Sequence, residues 1–190
     1  MGGIERGIGM RKHVFPKAYA DRVMRMRVPS GFLLAASFGL LAAPTMESWV
    51  AGMGLAVPGL LLRAWAAGHL RKNQNLTVGG PYAWTRNPLY LGTLLAALGL
   101  AASARSWAIL AVTVAVFVLV YLPVIEQEEQ HLVKIFPGYR EYAERVPLLW
   151  PAVPKVAGVG EFDFGLYVRN QEWKALTAYL LGMGYLYWKI

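Results

Sequence analysis

The sequence predicts an all-α integral membrane bundle with four or five transmembrane helices. Three observations carry that expectation. The 190 residues are 56% hydrophobic and 16% charged, whereas a soluble domain usually carries about a quarter charged residues, and the mean hydropathy is +0.38. The apolar residues gather into segments close to the length of a bilayer crossing, roughly 20 residues with about 17 as a lower limit. The charge, net +8, lies mainly before and between those segments, as membrane orientation requires.

The elements follow in order. Residues 1–28 form a basic arm, with Arg6, Arg11, Lys12, Lys17, Arg22, Arg25 and Arg27 opposed only by Glu5 and Asp21. An apolar segment follows at once, so the arm reads as a cytoplasmic anchor rather than a nucleic-acid-binding tail. No small-residue cleavage site closes the first apolar run, and Met1–Arg6 lacks the Ser or Thr of a myristoylation signal. Val28–Met46 is the first expected span, interrupted by Pro44 and therefore tilted or partly re-entrant. Trp49–Ala67 is the second, kinked at Pro58, with Arg63 snorkelling to the interface. Leu89–Ala104 and Trp107–Ile125 are the third and fourth, a tight antiparallel hairpin because only Arg105 and Ser106 separate them. The C-terminal apolar helix, 173–190, contains Ala175–Trp188, short for a span and open to two readings, a fifth crossing or a helix along the interface. Gly68–Pro88 and Glu126–Lys174 carry Arg71, Lys72, Arg86, Lys134, Arg140 and Arg145. They belong with the N-terminus on the cytoplasmic side. The whole chain reads as one domain.

Several chemistries are set aside. With no cysteine there is no disulfide, thiolate metal site or cysteine nucleophile. Gly52-Met53-Gly54 and Gly158-Val159-Gly160 do not sit in a βαβ unit, so they read as packing or flexibility glycines. Asn75-Leu76-Thr77 fits a glycosylation acceptor but falls on the cytoplasmic side. Glu128 and His131 have the spacing of a di-iron carboxylate motif, which needs a second copy and two further glutamates on facing helices. His13 and His69 have no ligand pattern around them, and no metal is expected.

Two polar segments remain. The first runs from Gln74 to Gly92. Gly79-Gly80-Pro81 fixes a turn where a ligand can approach the backbone. Asn87-Pro88 starts a helix, whose first amides together with Arg86 favour an anionic group such as a carboxylate. Tyr82, Trp84 and Tyr90 offer ring faces suited to a purine or a sulfonium cation. The second segment starts at Glu128-Glu129, about one turn beyond the apolar core of the fourth span. The hairpin brings these carboxylates to the Arg86 region, where they can bind ribose hydroxyls or an ammonium group.

The spacing Gly80-x-Tyr82-x-x-x-Arg86-Asn87-Pro88-x-Tyr90-x-Gly92, then Glu128-Glu129-x-x-Leu132-x-x-x-Phe136 and Tyr142-x-x-x-Val146-Pro147-x-x-x-Pro151, resembles the isoprenylcysteine carboxyl methyltransferase and phospholipid methyltransferase superfamily over about Leu62–Pro151. That resemblance implies a membrane methyltransferase using S-adenosylmethionine on a lipophilic acceptor: a carboxylate, a phospholipid amine or a small thiol. It implies cofactor contacts from Gln74, Asn75, Leu76, Thr77, Tyr82, Asn87, Pro88, Leu89, Tyr90 and Glu128. Arg86 would align cofactor or acceptor, and Glu129 would position Arg86 or another donor. Asn87 stands where eukaryotic carboxyl methyltransferases have His, and apolar Val124 falls where the family has a basic substrate-binding residue. Two other readings stay open. A sterol-reductase-like enzyme using NADPH shares the Arg-x-Pro-x-Tyr motif but typically has an acidic residue where Thr93 stands. A non-catalytic membrane scaffold would bind no cofactor.

Overall fold

The computed structural model describes residues 14–153 and 160–190, with the backbone alone at Arg27 and Val28. Arg6, Arg11, Lys12, His13 and Gly158-Val159 lie outside those residues. Among the described residues every regular element is helical.

Helix α1 (Lys17–Leu41) begins well inside the basic arm and stops before Pro44. This corrects the expected first span. Pro44 does not interrupt the helix but lies beyond its end, and it disfavours helical geometry at the residue before it. Helix α2 (Met46–Ala67) starts with a capping box. Thr45 Oγ1 accepts from Ser48 N at 3.3 Å and Ser48 Oγ accepts from Thr45 N at 2.9 Å, satisfying two otherwise orphaned amides. Its 22 residues continue through Pro58 and rise about 33 Å, enough for a hydrocarbon core of about 30 Å.

Helix α3 (Pro88–Ser103) opens on its proline, as the missing N–H of Pro88 favours. Helix α4 (Trp107–Val116), a π turn (Phe117–Tyr121) and α5 (Leu122–Ile135) then run as one helix of 29 residues. Pro123 has no N–H to give the Leu119 carbonyl one turn earlier. The ladder widens there, and Tyr19 Oη of α1 donates to Leu119 O at 2.7 Å instead. A short 3-10 turn (Gly80–Ala83) precedes α3, and α6 (Tyr139–Arg145), α7 (Phe164–Arg169) and α8 (Trp173–Trp188) complete the helices of the described residues. Helix α2 and the 107–135 helix are each long and apolar enough to cross a membrane.

The most extensive contact is between α2 and α3, not within the expected α3–α4 hairpin. Small residues make it. A Cβ on Gly59 would lie 2.7 Å from Gly92 O and Ala96 N, one on Gly99 would lie 2.6 Å from Gly52 O and Ala56 N, and one on Gly52 would strike Ser103 Oγ. Close backbone approach of this kind is how helices associate where the solvent is as apolar as the side chains. Gly52 thus packs helices, whereas Gly54 faces open space.

Helix α8 stands against this pair. Trp49 Nε1 donates to Met183 O at 3.0 Å, and Tyr179, Met183 and Leu186 share a buried cluster with Ala56, Ala101, Ala104 and Ile109. The segment packs as one helix of the bundle. Helix α1 lies against α4, the π turn and α5, and its end meets α8, where Tyr185 Oη donates to Gly39 O at 3.3 Å. Exposed Trp65, Trp84, Trp150 and Trp173 mark one end of the bundle, and exposed Trp107, Tyr187 and Trp188 mark the other. Paired aromatic belts of this kind are what two membrane–water interfaces select.

Candidate active site

The site lies where α2 ends and α3 and α8 begin. Two loops are laced together there. Arg86 N donates to Pro147 O at 2.9 Å and Ala152 N to Trp84 O at 3.0 Å. Thr85 Oγ1 and Asn87 Nδ2 both donate to Leu148 O, at 3.2 and 3.0 Å. The Asn87 amide nitrogen, expected to meet a cofactor, therefore holds the loop. The Gly79–Pro81 turn also has an internal reason: Gly80 has φ +57°, and a Cβ on it would come within 2.6 Å of the His69 ring.

Against this scaffold α5 presents its carboxylates. Arg86 Nη1 lies 3.1 Å from Glu129 Oε1, and the same oxygen accepts from Tyr139 Oη at 2.8 Å. Tyr90 Oη, one turn into α3, donates to Glu128 Oε1 at 2.8 Å. Tyr142 Oη donates to Tyr82 O at 2.7 Å, fixing the backbone of the turn. Glu128 also faces a cleft of about 420 Å³ between α5 and the start of α1, which Phe15, Asp21, Glu126 and His131 help to line.

Two buried donors in this cluster have no partner among the described residues, Tyr82 Oη and Arg86 Nε. Burial above all, then the charges of Tyr142, Glu172 and Glu128, raises the Tyr82 pKa well above the usual tyrosine range, against the opposing pull of Arg63. Tyr139 is raised by burial and then by Glu129, and Tyr142 chiefly by burial, with Arg86 opposing. All three hydroxyls stay protonated at neutral pH. A buried donor left unpaired costs about 1–3 kcal/mol, so each of these two is suited to a ligand group that brings an acceptor.

The cluster thus gathers Arg86, Glu129, Tyr82, Tyr90 and Glu128, with Pro88 and Leu89 at the start of α3. Gln74 and Asn75 are exposed on the loop after α2, Leu76 and Thr77 are half-buried, and none of these four side chains is hydrogen-bonded to the cluster. The sequence assigned no role to Tyr139 and Tyr142, which close it from α6. It also missed a second cluster. Arg63 was expected to snorkel; instead its Nε and Nη2 donate to the two carboxylate oxygens of Glu172 at 2.5 and 2.9 Å. A charge inside an apolar span was the available signal for Arg63. Nothing in the sequence marked Glu172 as its partner.

The comparisons with known proteins bear on this geometry. Residues 49–138 match the phospholipid methyltransferase family. This stretch of the chain belongs to that family. The family segment, from a family of membrane methyltransferases, takes in α2, α3, Arg86, Glu128 and Glu129, and stops before Tyr139, Tyr142 and the loop at Pro147. Two curated relatives are similar to part of the chain. One is the cobalt-zinc-cadmium resistance protein CzcN of Cupriavidus metallidurans, 40% identical over 109 residues, covering 56% of this chain and 49% of the relative. The other is the nickel-cobalt-cadmium resistance protein NccN of Alcaligenes xylosoxydans xylosoxydans, 32% identical over 113 residues, 58% of this chain and 52% of the relative. The aligned region spans about half the length of each relative. No solved structure matches the chain significantly.

Proposed function

We propose that the chain is a membrane-embedded methyltransferase that uses S-adenosylmethionine and methylates a lipophilic acceptor: a carboxylate, a phospholipid amine or a small thiol. The observation that carries this reading is the pair of unpartnered buried donors, Tyr82 Oη and Arg86 Nε, inside the family segment and beside the Glu128–Glu129 carboxylates. The donor set suits the methyl donor. Tyr82 and Arg86 supply hydrogen bonds to a carboxylate or to ribose and adenine acceptors, and Glu128 supplies an acceptor for an ammonium group or ribose hydroxyls. The bound sulfonium would supply an electrophilic methyl group, so the protein's task is chiefly alignment. Arg86, braced by Glu129, is the aligning residue in this reading, and the apolar flanks of α2 and α4 leave the acceptor a route from the bilayer.

The reading predicts that purified protein binds S-adenosylhomocysteine with micromolar-scale affinity, about 8 kcal/mol. Glu128→Ala should weaken that binding by roughly 1.5–3 kcal/mol, the value of a charge-assisted hydrogen bond. Calorimetry checks both. Tight binding of NADPH, with none of S-adenosylhomocysteine, would turn the assignment to the reductase class. The metal resistance in the relatives' names is a phenotype rather than a reaction; in this reading it would follow from a changed membrane component.

The orientation is part of the same proposal. Four or five of the helices cross the membrane, with the N-terminus and the Arg86 cluster facing the cytoplasm. The chain has no native cysteine, so single introduced cysteines report cleanly. Asn75→Cys and Arg140→Cys should resist a membrane-impermeant maleimide added to intact cells, and Arg105→Cys should react. The reverse pattern would overturn the orientation.

A further inference from the structure

Helices α7 and α8 lie beyond the family segment, yet their junction reaches into the site's framework. Asn170 Nδ2 donates to Ala67 O at 2.9 Å and to Leu70 O at 3.0 Å, tying down the end of α2. Gln171 turns the chain at φ +57°, a left-handed conformation that residues other than glycine seldom adopt. That turn delivers Glu172, itself buried, onto Arg63 of α2. The fork is bidentate, with Nε on Oε1 and Nη2 on Oε2. The remaining terminal nitrogen, Nη1, donates to Leu89 O at 3.2 Å and to Thr93 Oγ1, and Thr93 Oγ1 in turn donates to Leu89 O at 2.7 Å. One guanidinium therefore fastens the α7–α8 corner, α2 and the first turn of α3 together. The motif glycine serves the α2–α3 contact first and this arginine second: a Cβ on Gly92 would lie 2.5 Å from Gly59 O and 2.6 Å from Arg63 Cγ, so Gly92 lets the helices meet and leaves the arginine stem its passage.

The turn held in this way carries Tyr90, whose hydroxyl is bonded to Glu128, and it follows directly on Arg86. We infer that Glu172 is a positioning residue for methyl transfer, acting through Arg63 to set the first turn of α3 and hence the placement of Tyr90 and Arg86. A planar guanidinium is suited to this, because its donors leave in fixed directions and cannot follow a displaced partner. The inference rests on the methyltransferase reading and extends the working site into a part of the chain outside the family segment.

The test must separate positioning from folding, since an arginine left buried without its partner destabilises a protein by itself. The double variant Arg63→Met/Glu172→Met removes both charges and keeps the volume, a replacement that buried pairs often tolerate. Three quantities are measured in detergent-purified protein: melting temperature, affinity for S-adenosylhomocysteine, and methyl transfer from labelled S-adenosylmethionine into a total lipid extract. Wild-type protein that neither binds nor transfers would defeat the methyltransferase reading before any variant is compared. With an active wild type, the double variant should melt within a few degrees of it, lose at least tenfold in turnover and bind S-adenosylhomocysteine several-fold more weakly. A folded double variant with wild-type turnover and affinity would overturn the inference. Should that variant fail to fold, Thr93→Val and Glu172→Asp decide. Thr93→Val deletes one acceptor of the guanidinium and should lower turnover several-fold, and Glu172→Asp, which shortens the reach to Arg63, should do the same. Wild-type turnover in both would equally overturn it.

Discussion

Arg86→Lys should lower methyl transfer at least tenfold, about 1.4 kcal/mol in the barrier, with the protein still folded. The substitution retains the charge, so the expected loss concerns geometry. In the structure Nη1 of Arg86 meets Glu129 Oε1 at 3.1 Å, and Nε lies buried with no partner. A guanidinium makes both arrangements at once: one nitrogen braced by protein, another held at a fixed angle for a ligand. An ammonium has a single nitrogen and a flexible stem. It can keep the ion pair with Glu129 or turn to the ligand, not both in the same directions. An arginine that served only as an interfacial anchor would tolerate lysine, since both side chains snorkel well. Arg71→Lys and Arg140→Lys, exposed positions outside the cluster, are the controls and should stay near wild type. The measurement is label incorporation into lipid extract per folded protein. Equal activity of Arg86→Lys and wild type would remove Arg86 from the alignment step.

The site's primary elements were legible because they are local. Asn87-Pro88 announces a helix start by backbone sterics alone, and α3 begins at Pro88. The carboxylates of α5 reach Arg86 and Tyr90 because a short turn joins α3 to α4 and so brings the ends of that hairpin together. What escaped the sequence depends on tertiary encounters. Proline at 123 removes one hydrogen bond, but that the ladder answers with a π turn, and that Tyr19 takes up the Leu119 carbonyl, depends on where α1 docks. The start of α1 was hidden by its charges: exposed Arg22 and Arg25 read as a tail although they ride on a helix. Glu172 was illegible for a similar reason. A single glutamate before an apolar segment is an ordinary interfacial residue until the fold brings it to Arg63, more than a hundred positions away. The choice of α2 rather than α4 as the close partner of α3 was written in glycines at 52, 59, 92 and 99, whose seven-residue spacing lines one helix face.

Gly99→Leu should cost most of the folded protein. The side chain would have to enter where α2 and α3 touch backbone to backbone, with Gly52 O and the Ala56 nitrogen 2.6 Å from the first added carbon. A flexible side chain can swing away from an intruding methyl group, but a helix backbone cannot. The two helices would have to separate, and separation also opens the packing of α8 on both of them. Overpacking a core usually costs about 1–3 kcal/mol and occasionally more; a clash with backbone belongs at the upper end, against a total stability of only about 5–15 kcal/mol. Gly54→Leu is the control, since nothing lies within 4 Å of a Cβ at that position and its face is directed away from the helix pair. Fluorescence-detected size exclusion after mild heating should show Gly54→Leu eluting with wild type and Gly99→Leu largely lost to aggregate. The effect should reach the site as well. Arg63 and Gly92 sit one turn beyond Gly59 and Ala96 on the same two helices, so any Gly99→Leu protein that survives should bind S-adenosylhomocysteine more weakly than wild type. A Gly99→Leu protein with wild-type elution and melting would show that the α2–α3 contact is looser than the glycine stripe requires.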